Sequence, residues 1–222
     1  MGICSWNNAC CYYSIGSRLK IRDIRDLKGK KIASSGAGGR ADAFIRFMHA
    51  KCGLDSRDEA QIIPLSGRSA VRLAAVVSRN IDATLSSSLL GGHWEKLGLT
   101  VIPVPLVYIW WINLTRRSFL AKNRGAVRNY LKDLRESVQL MIADKDSTAA
   151  VMSQVLIISD VESLEYSYRM LKADARPDLF PTEDAIVNVL KTMSYEDSQF
   201  ASIPPFKFFD ISLLQELKAE SW

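Results

Sequence analysis

Cysteine and histidine are too few here, and too badly spaced, to build a metal centre. The four cysteines are Cys4, Cys10, Cys11 and Cys52, and the two histidines are His49 and His93. No C-x-x-C occurs, and both histidines lie far in sequence from the N-terminal trio of cysteines. No metal site is therefore expected, and Cys52 reads as a small packed or half-exposed residue near a helix end. Long apolar runs are also missing. The most apolar stretch, 101–112, carries Pro103 and Pro105 and is too short for a membrane span. Residues 1–13 have neither the basic start nor the apolar run of a secretory signal, so the chain as written is expected to be soluble and to carry no export address. Basic residues outnumber acidic ones only modestly, 29 Lys+Arg against 24 Asp+Glu for a net charge of +5. They are scattered among acids, with Lys28, Lys30 and Lys31 the densest group, so no nucleic-acid partner is expected.

What remains is an ordinary globular composition of 222 residues, 48% hydrophobic and 24% charged. Such a chain can bury one large core or two smaller ones. Its most informative stretch is 27–50, LKGKKIASSGAGGRADAFIRFMHA. A short strand, 31–34, runs into the loop Ser35-Gly36-Ala37-Gly38-Gly39, and a helix is predicted from Arg40. Three glycines among five loop residues allow positive φ and leave backbone N–H groups uncovered at a helix N-terminus. Three readings stay open. Gly36 to Ala41 fits a loose G-x-G-x-x-G/A dinucleotide fingerprint, but no acidic residue ends the following strand. The glycines could serve only close packing of helix on strand. The third reading is a cradle for a small anion.

The strand–loop–helix unit then repeats. Strand 61–65 leads into Ser66-Gly67-Arg68-Ser69 and a small-residue helix carrying Val71, Leu73 and Val77. Asn80 stands where a left-handed helix terminator is expected. A third strand, 81–85, runs out into Ser86-Ser87-Ser88. A short helix over 93–97 ends at Gly98, and strand 99–104 follows. This alternation argues for an α/β fold with a mostly parallel sheet. Ligands in such sheets sit beyond the carboxyl ends of the strands. The loops 35–39, 66–69 and 86–88 are therefore expected along one edge. Residues 1–16 show no periodicity and are expected to be loosely held. From Pro105 the character changes. Residues 106–114 read as a buried strand or a crossing between lobes, and helices dominate afterwards. An amphipathic stripe runs through Val127, Tyr130, Leu131, Leu134, Val138 and Met141. Further helix starts are expected at Ser159 or Asp160, at Thr182 and at Ser212.

The motifs DLKGKKIASSGAGGRADAFIRFM, GRSAVRLAAVVSRNIDATLSSS, EKLGLTVI, TRRSFLAKNRGAVRNYLKDL and PTEDAIVNVL occur in that order. Together they resemble the substrate-binding proteins of ABC transporters in the nitrate/sulfonate/taurine group, relatives of the thiamine-precursor-binding proteins. The resemblance covers about 22–217 of the sequence. It implies the type II periplasmic-binding-protein fold, two α/β lobes hinged around a cleft. On that basis 22–104 is a complete second lobe with a mostly parallel sheet, and 105–222 is the crossover and a partial, largely helical first lobe. Residues 1–21 are then a first-lobe remnant or disordered. On that basis the opening strands and export signal of such proteins would be missing from the sequence as written, which would leave the helix faces of Leu131, Leu134, Val138 and Leu164 short of partners and make a homo-oligomer one way to cover them.

The function this implies is capture of a small anionic organic solute, a sulfonate, nitrate or taurine-like molecule, for delivery to an ABC transporter permease. Neither catalysis nor a cofactor is expected. The ligand-binding residues would be Ser35, Gly36, Gly38, Gly39, Ser66, Gly67, Arg68, Ser69, Ser86 and Ser87. Arg68 is the candidate charge contact, since a guanidinium grips a sulfonate or carboxylate in two places. The resemblance places the protein in the periplasm or at the cell surface, whereas the chain as written would stay in the cytoplasm. Two rivals remain. One is an enzyme of the same fold in thiamine-pyrimidine synthesis, for which Cys10-Cys11 with His49 or His93 would have to serve. The other is a truncated remnant that binds nothing.

Overall fold

The structure, a computed structural model, describes residues 2–3, 13–17, 21, 23–36, 38–53, 61–67, 69–104, 108–109 and 112–220. Its first half runs β1 (Gly2–Ile3), β2 (Tyr13–Ser17), a 3-10 turn (Ile24–Leu27), β3 (Lys31–Ser34), α1 (Arg40–Lys51), β4 (Gln61–Pro64) and α2 (Ser69–Val77). β5 (Ala83–Ser87), a 3-10 turn (Ser88–Leu90), α3 (Gly91–Lys96) and β6 (Thr100–Val104) complete it. β7 (Asn113–Leu114) pairs antiparallel with β1, and the second half is helical. It comprises α4 (Arg117–Lys122), α5 (Arg124–Ala143), α6 (Lys145–Leu156), α7 (Val161–Asp174), α8 (Glu183–Ser194), two 3-10 turns (Ser198–Ser202 and Pro205–Phe208) and α9 (Ser212–Ala219).

Five strands form one sheet in the order β4-β3-β5-β2-β6. β3 runs parallel to both β4 and β5, while β2 lies antiparallel between β5 and β6. Four strands therefore share one direction. The sheet is mostly parallel, as its apolar, β-branched strands require when both faces are covered. Successive residues point to opposite faces. Ile32 enters a core with Phe44, Ile45, Phe47 and Leu85 beneath α1, and Ala33 enters a second core with Val76, Ile81 and Trp94 beneath α2 and α3. Tyr108 anchors the crossover to the first core through an edge-to-face contact with Phe44, ring centroids 5.6 Å apart.

Three local expectations shift. All of β2 but Ser17 falls inside 1–16, where the sequence shows no element. Its five residues hold few apolar groups, and their order comes from hydrogen-bond partners on both sides, β5 and β6, both remote in sequence. The third strand is Ala83–Ser87 rather than 81–85, so Ser86 and Ser87 belong to the strand itself. The left-handed residue after α2 is Arg79, at φ 65°, not Asn80. The helix ends as a Schellman motif, with Asn80 N–H donating to the Ala75 carbonyl and Arg79 N–H to that of Val76. That bonding pattern sets which residue must turn, whatever its side chain prefers.

The helical half closes its own core. Leu131 and Val138 of α5 are buried with Leu179, Leu213, Leu214 and Leu217, and Leu134 packs against the same cluster. For Leu131, Leu134 and Val138 the expectation of missing partners is corrected: α9 covers them. Asp160 caps α7, accepting from Ser163 N–H at 2.9 Å, whereas Thr182 stands at the N-cap of α8 without a side-chain capping bond. α7 docks on the first half at α3. Ser167 Oγ donates to the Leu89 carbonyl at 2.6 Å, and Lys96 pairs with Asp160 and Glu162. At the other end, Val189 of α8 packs against the core beneath α1.

Two groups in this arrangement carry measurable consequences. Gly92 sits so close to α7 that an added Cβ would fall 2.8 Å from Tyr166 Cγ. Gly92→Ala is expected to cost about 1–3 kcal/mol by overpacking, read as a lower denaturation midpoint; an unchanged midpoint would mean the two helices can part freely. His49 is 1% exposed, and neither ring nitrogen has a hydrogen-bond partner among the described residues. Burial, and secondarily the nearby Arg46 charge, holds its pKa below the ordinary histidine value. The unfolded chain thus takes up a proton that the fold refuses, so stability is full above the ordinary value and is lost as pH falls through it. Between about pH 7 and about pH 5, the natural chain should lose thermal stability faster than His49→Leu. Parallel pH profiles for the two would contradict this.

Candidate functional site

The pairing of β3 with its neighbours decides what meets at the carboxyl edge of the sheet. Ser34 lies opposite Pro64, and Ile32 and Ala33 lie opposite Ala83 and Thr84. The chain leaves β3 into the glycine loop at the same level at which β4 leaves toward Gly67 and β5 reaches Ser86 and Ser87. A hydrogen bond of 2.9 Å from Leu65 N–H to the Ser34 carbonyl ties the first two loops together. The start of β2 reaches the same edge, with Tyr13 opposite both Ser87 and Val104.

The glycine loop keeps part of its binding capacity for itself. Gly36 and Gly38 take φ of 148° and 67°, the positive range glycine tolerates. Gly39 N–H donates to the Gly36 carbonyl at 3.1 Å. Gly38 N–H donates to Asp42 Oδ2, also at 3.1 Å, and the buried Asp42 carboxylate accepts from Arg46 Nε at 3.0 Å and Nη2 at 3.3 Å. Asp42 is thus a resident anion in the first turn of α1, where the helix dipole favours it. Its signal was in the sequence: an acid in the first helical turn followed by arginine at i+4. Gly39 is the N-cap and brings no side chain. The N–H groups of Arg40, Ala41 and Asp42 precede the first intrahelical bond, Ala43 N–H to the Gly39 carbonyl, and so have no acceptor within the helix. Ser35 is exposed beside them.

In the second loop Ser66 is exposed and Gly67 has φ 112°, while Arg68 lies outside the described residues. Ser69 opens α2. The guanidinium found at this edge is that of Arg72, one turn into α2. It is 7% exposed and reaches back to donate from Nη1 to the Gly67 carbonyl at 3.1 Å. Burial lowers its pKa, the expected direction for a cation withdrawn from water. Helical spacing from the loop was the only sequence hint of it. In the third loop Ser87 Oγ accepts from Leu89 N–H at 3.3 Å and so caps the following 3-10 turn. The hydroxyl of Ser34, at the end of β3, is buried with no partner among the described residues.

Beside the glycine loop opens a cavity of about 670 Å³. Gly38 contributes to it on one side, and Tyr108, Ile186, Met193, Phe200 and Phe209 line the others, with Glu196 and Asp197 also on its wall. No sequence window could show it, since its walls come from α1, the crossover, α8 and the segment after α8. The histidines do not join this edge. His49 sits in the second half of α1 among Ile24, Leu27 and Leu85, and His93 lies in α3 within 4.0 Å of Asp160. Cys10 and Cys11 lie outside the described residues. Among the described residues no cluster of histidine, cysteine and acids could hold a metal, and no helix is long and apolar enough to cross a membrane.

Known structures share this architecture. A protein from Bordetella bronchiseptica RB50 superposes with TM-score 0.79 at 18% identity, over 99% of this chain and 74% of its own. The alkanesulfonate-binding protein SsuA of Xanthomonas axonopodis pv. citri, bound to MOPS, gives TM-score 0.64 at 18% identity, over 92% and 69%. A Candida albicans protein described as having the generic periplasmic binding protein fold gives 0.65 at 14%, over 98% and 71%. No curated protein sequence matches the chain. At these identities the likeness establishes the periplasmic-binding-protein fold. The family described as NMT1/THI5 like matches residues 7–148, more than half of the sequence, and the chain belongs to that family.

Proposed function

We propose that the protein is a solute-binding component of an ABC importer, which captures a small anionic organic solute at the carboxyl edge of its sheet and passes it to a membrane permease. The observation that carries this reading is the meeting of the glycine loop after β3, the loop after β4 and the end of β5 on one edge, with the Arg72 guanidinium held against the second of these at the Gly67 carbonyl. Similar structures include sulfonate-binding proteins, which supports a sulfonate or a chemically related anion as the solute. By the same likeness the site of action is the periplasm or the cell surface.

Within this reading the first-turn N–H groups of α1 and the hydroxyl of Ser35 meet the anion from one side. Ser66 and Ser87 flank it, and Arg72 supplies positive charge under the second loop. Asp42 and Arg46 neutralise one another and hold the glycine loop in shape, so the donors facing the solute are those that Asp42 does not use. Burial strengthens the Arg72 contribution, because a charge in a low-dielectric site is screened less. An enzyme reading gains nothing from the geometry: His49 is enclosed in the core beneath α1, toward the opposite end of that helix from the loops.

The test is thermal denaturation of the purified chain with methanesulfonate, taurine, nitrate and acetate. A ligand that binds only the folded state should raise stability by about 2.7 kcal/mol at a hundredfold excess over Kd. Arg72→Gln should weaken binding by about tenfold or more, since hydrogen bonds to charged groups contribute about 1.5–3 kcal/mol. Its circular dichroism should remain that of the natural chain. No stabilisation by any of the four anions, nor by an aryl sulfonate, on a chain shown to be folded, would refute the proposal.

A further inference from the structure

We infer that the solute has an aromatic body, which lodges in the cavity between α1, the crossover and α8 while its anionic group stays at the loop edge. This rests on the solute-binding reading above and narrows it to aryl sulfonates and aryl carboxylates. The cavity's 670 Å³ lies within the range that encloses a whole organic ligand. Nitrate or a two-carbon sulfonate would leave most of it unfilled.

The walls state what fills it. Tyr108, Phe200, Phe208 and Phe209 present rings, and Ile186 and Met193 present aliphatic and thioether surface. Such walls offer polar atoms few partners, whereas an aromatic solute gains apolar burial and edge-to-face contacts. They are also braced. Ile186 is buried in a core with Ile109, Ala185 and Leu190, and Phe209 stacks edge-to-face on Phe206 at 6.5 Å. The cavity is continuous with the candidate site, because Gly38 belongs to both. Its N–H is engaged by Asp42, so at the junction it offers smooth backbone without a side chain to obstruct a ring.

Charge orients the solute in one direction. Glu196 and Asp197 lie on the cavity wall just beyond α8, and Asp197 is held there as the cap of the Ser198–Ser202 turn. Carboxylates on that wall disfavour an anionic group inside the cavity and leave the loop edge, with its first-turn N–H groups and Arg72, as the favourable place for it.

Isothermal titration of the full chain with methanesulfonate, hexanesulfonate, naphthalenesulfonate and uncharged naphthalenemethanol tests this. Naphthalenesulfonate should bind most tightly, at least tenfold above methanesulfonate, and a few-fold above hexanesulfonate because ring contacts add to area burial. Met193→Glu changes a partly exposed wall residue, so the fold should tolerate it. It should weaken naphthalenesulfonate binding at least tenfold and leave methanesulfonate binding as it was. Methanesulfonate and naphthalenesulfonate binding equally well would overturn this inference and leave the solute-binding reading in place. Failure of every sulfonate on a folded chain would overturn both. Naphthalenemethanol binding as tightly as the sulfonate would overturn the assigned orientation. A concentration-dependent dimer abolished by Met193→Glu in sedimentation would overturn the inference by showing the cavity to be an interface between copies.

Discussion

Burial of β3 on both faces is the constraint from which the rest of the α/β half follows. Ile32 and Ala33 are adjacent in sequence yet serve two separate cores, one beneath α1 and one beneath α2 and α3. A slip of one residue would exchange them, putting isoleucine where only alanine fits and opening a void on the other side. The register of β3 against β4 and β5 is thereby pinned. Once it is pinned, the level at which each strand ends is pinned too. The convergence of three polar loops is thus a by-product of core packing. The loops themselves are free to vary in chemistry without disturbing the sheet, which is how such folds come to host different ligands.

Asp42 gives the glycine loop a different meaning from the one its composition suggests. A run of glycines before a helix invites an external anion, but here the first anion is internal. The Asp42 carboxylate takes Gly38 N–H and is balanced by Arg46, so loop and helix form one hydrogen-bonded unit. The arrangement holds the loop in shape before any solute arrives, and a preorganised loop loses less entropy on binding. It also makes the site selective about geometry, since only the first-turn donors beyond the reach of Asp42 remain for a ligand.

The helical half does more than cover a sheet edge. α7 grips α3 at one end through Ser167, Lys96 and the close approach at Gly92, while α8 reaches the core beneath α1 at the other. Between these holds, the crossover residues Tyr108 and Ile109 and the turns after α8 frame the apolar cavity beside the glycine loop. Site and cavity therefore depend on how the two halves dock. Most ion pairs on the helical surface, such as Arg124 with Glu216 and Arg128 with Glu220, are exposed and add little to that docking. Packing carries it.

The boundary between what the sequence determined and what tertiary structure decided follows the range of the interactions. β3, α1, β4, α2 and the cap at Asp160 were legible because each depends on neighbours a few residues away: apolar periodicity, turn glycines, a capping side chain. The α/β class and the shared loop edge follow from their order along the chain. β2 was not legible, because five residues with little apolar content become a strand only when β5 and β6 supply hydrogen bonds on both sides. Arg79 rather than Asn80 turns left-handed because carbonyls of the preceding helical turn choose the position. Arg72 reached the candidate site by curling back along α2, and the cavity drew on residues as distant as Gly38, Tyr108, Ile186 and Phe209. Local chemistry wrote most of the elements, and only the packing of distant surfaces could bring those four residues around one cavity.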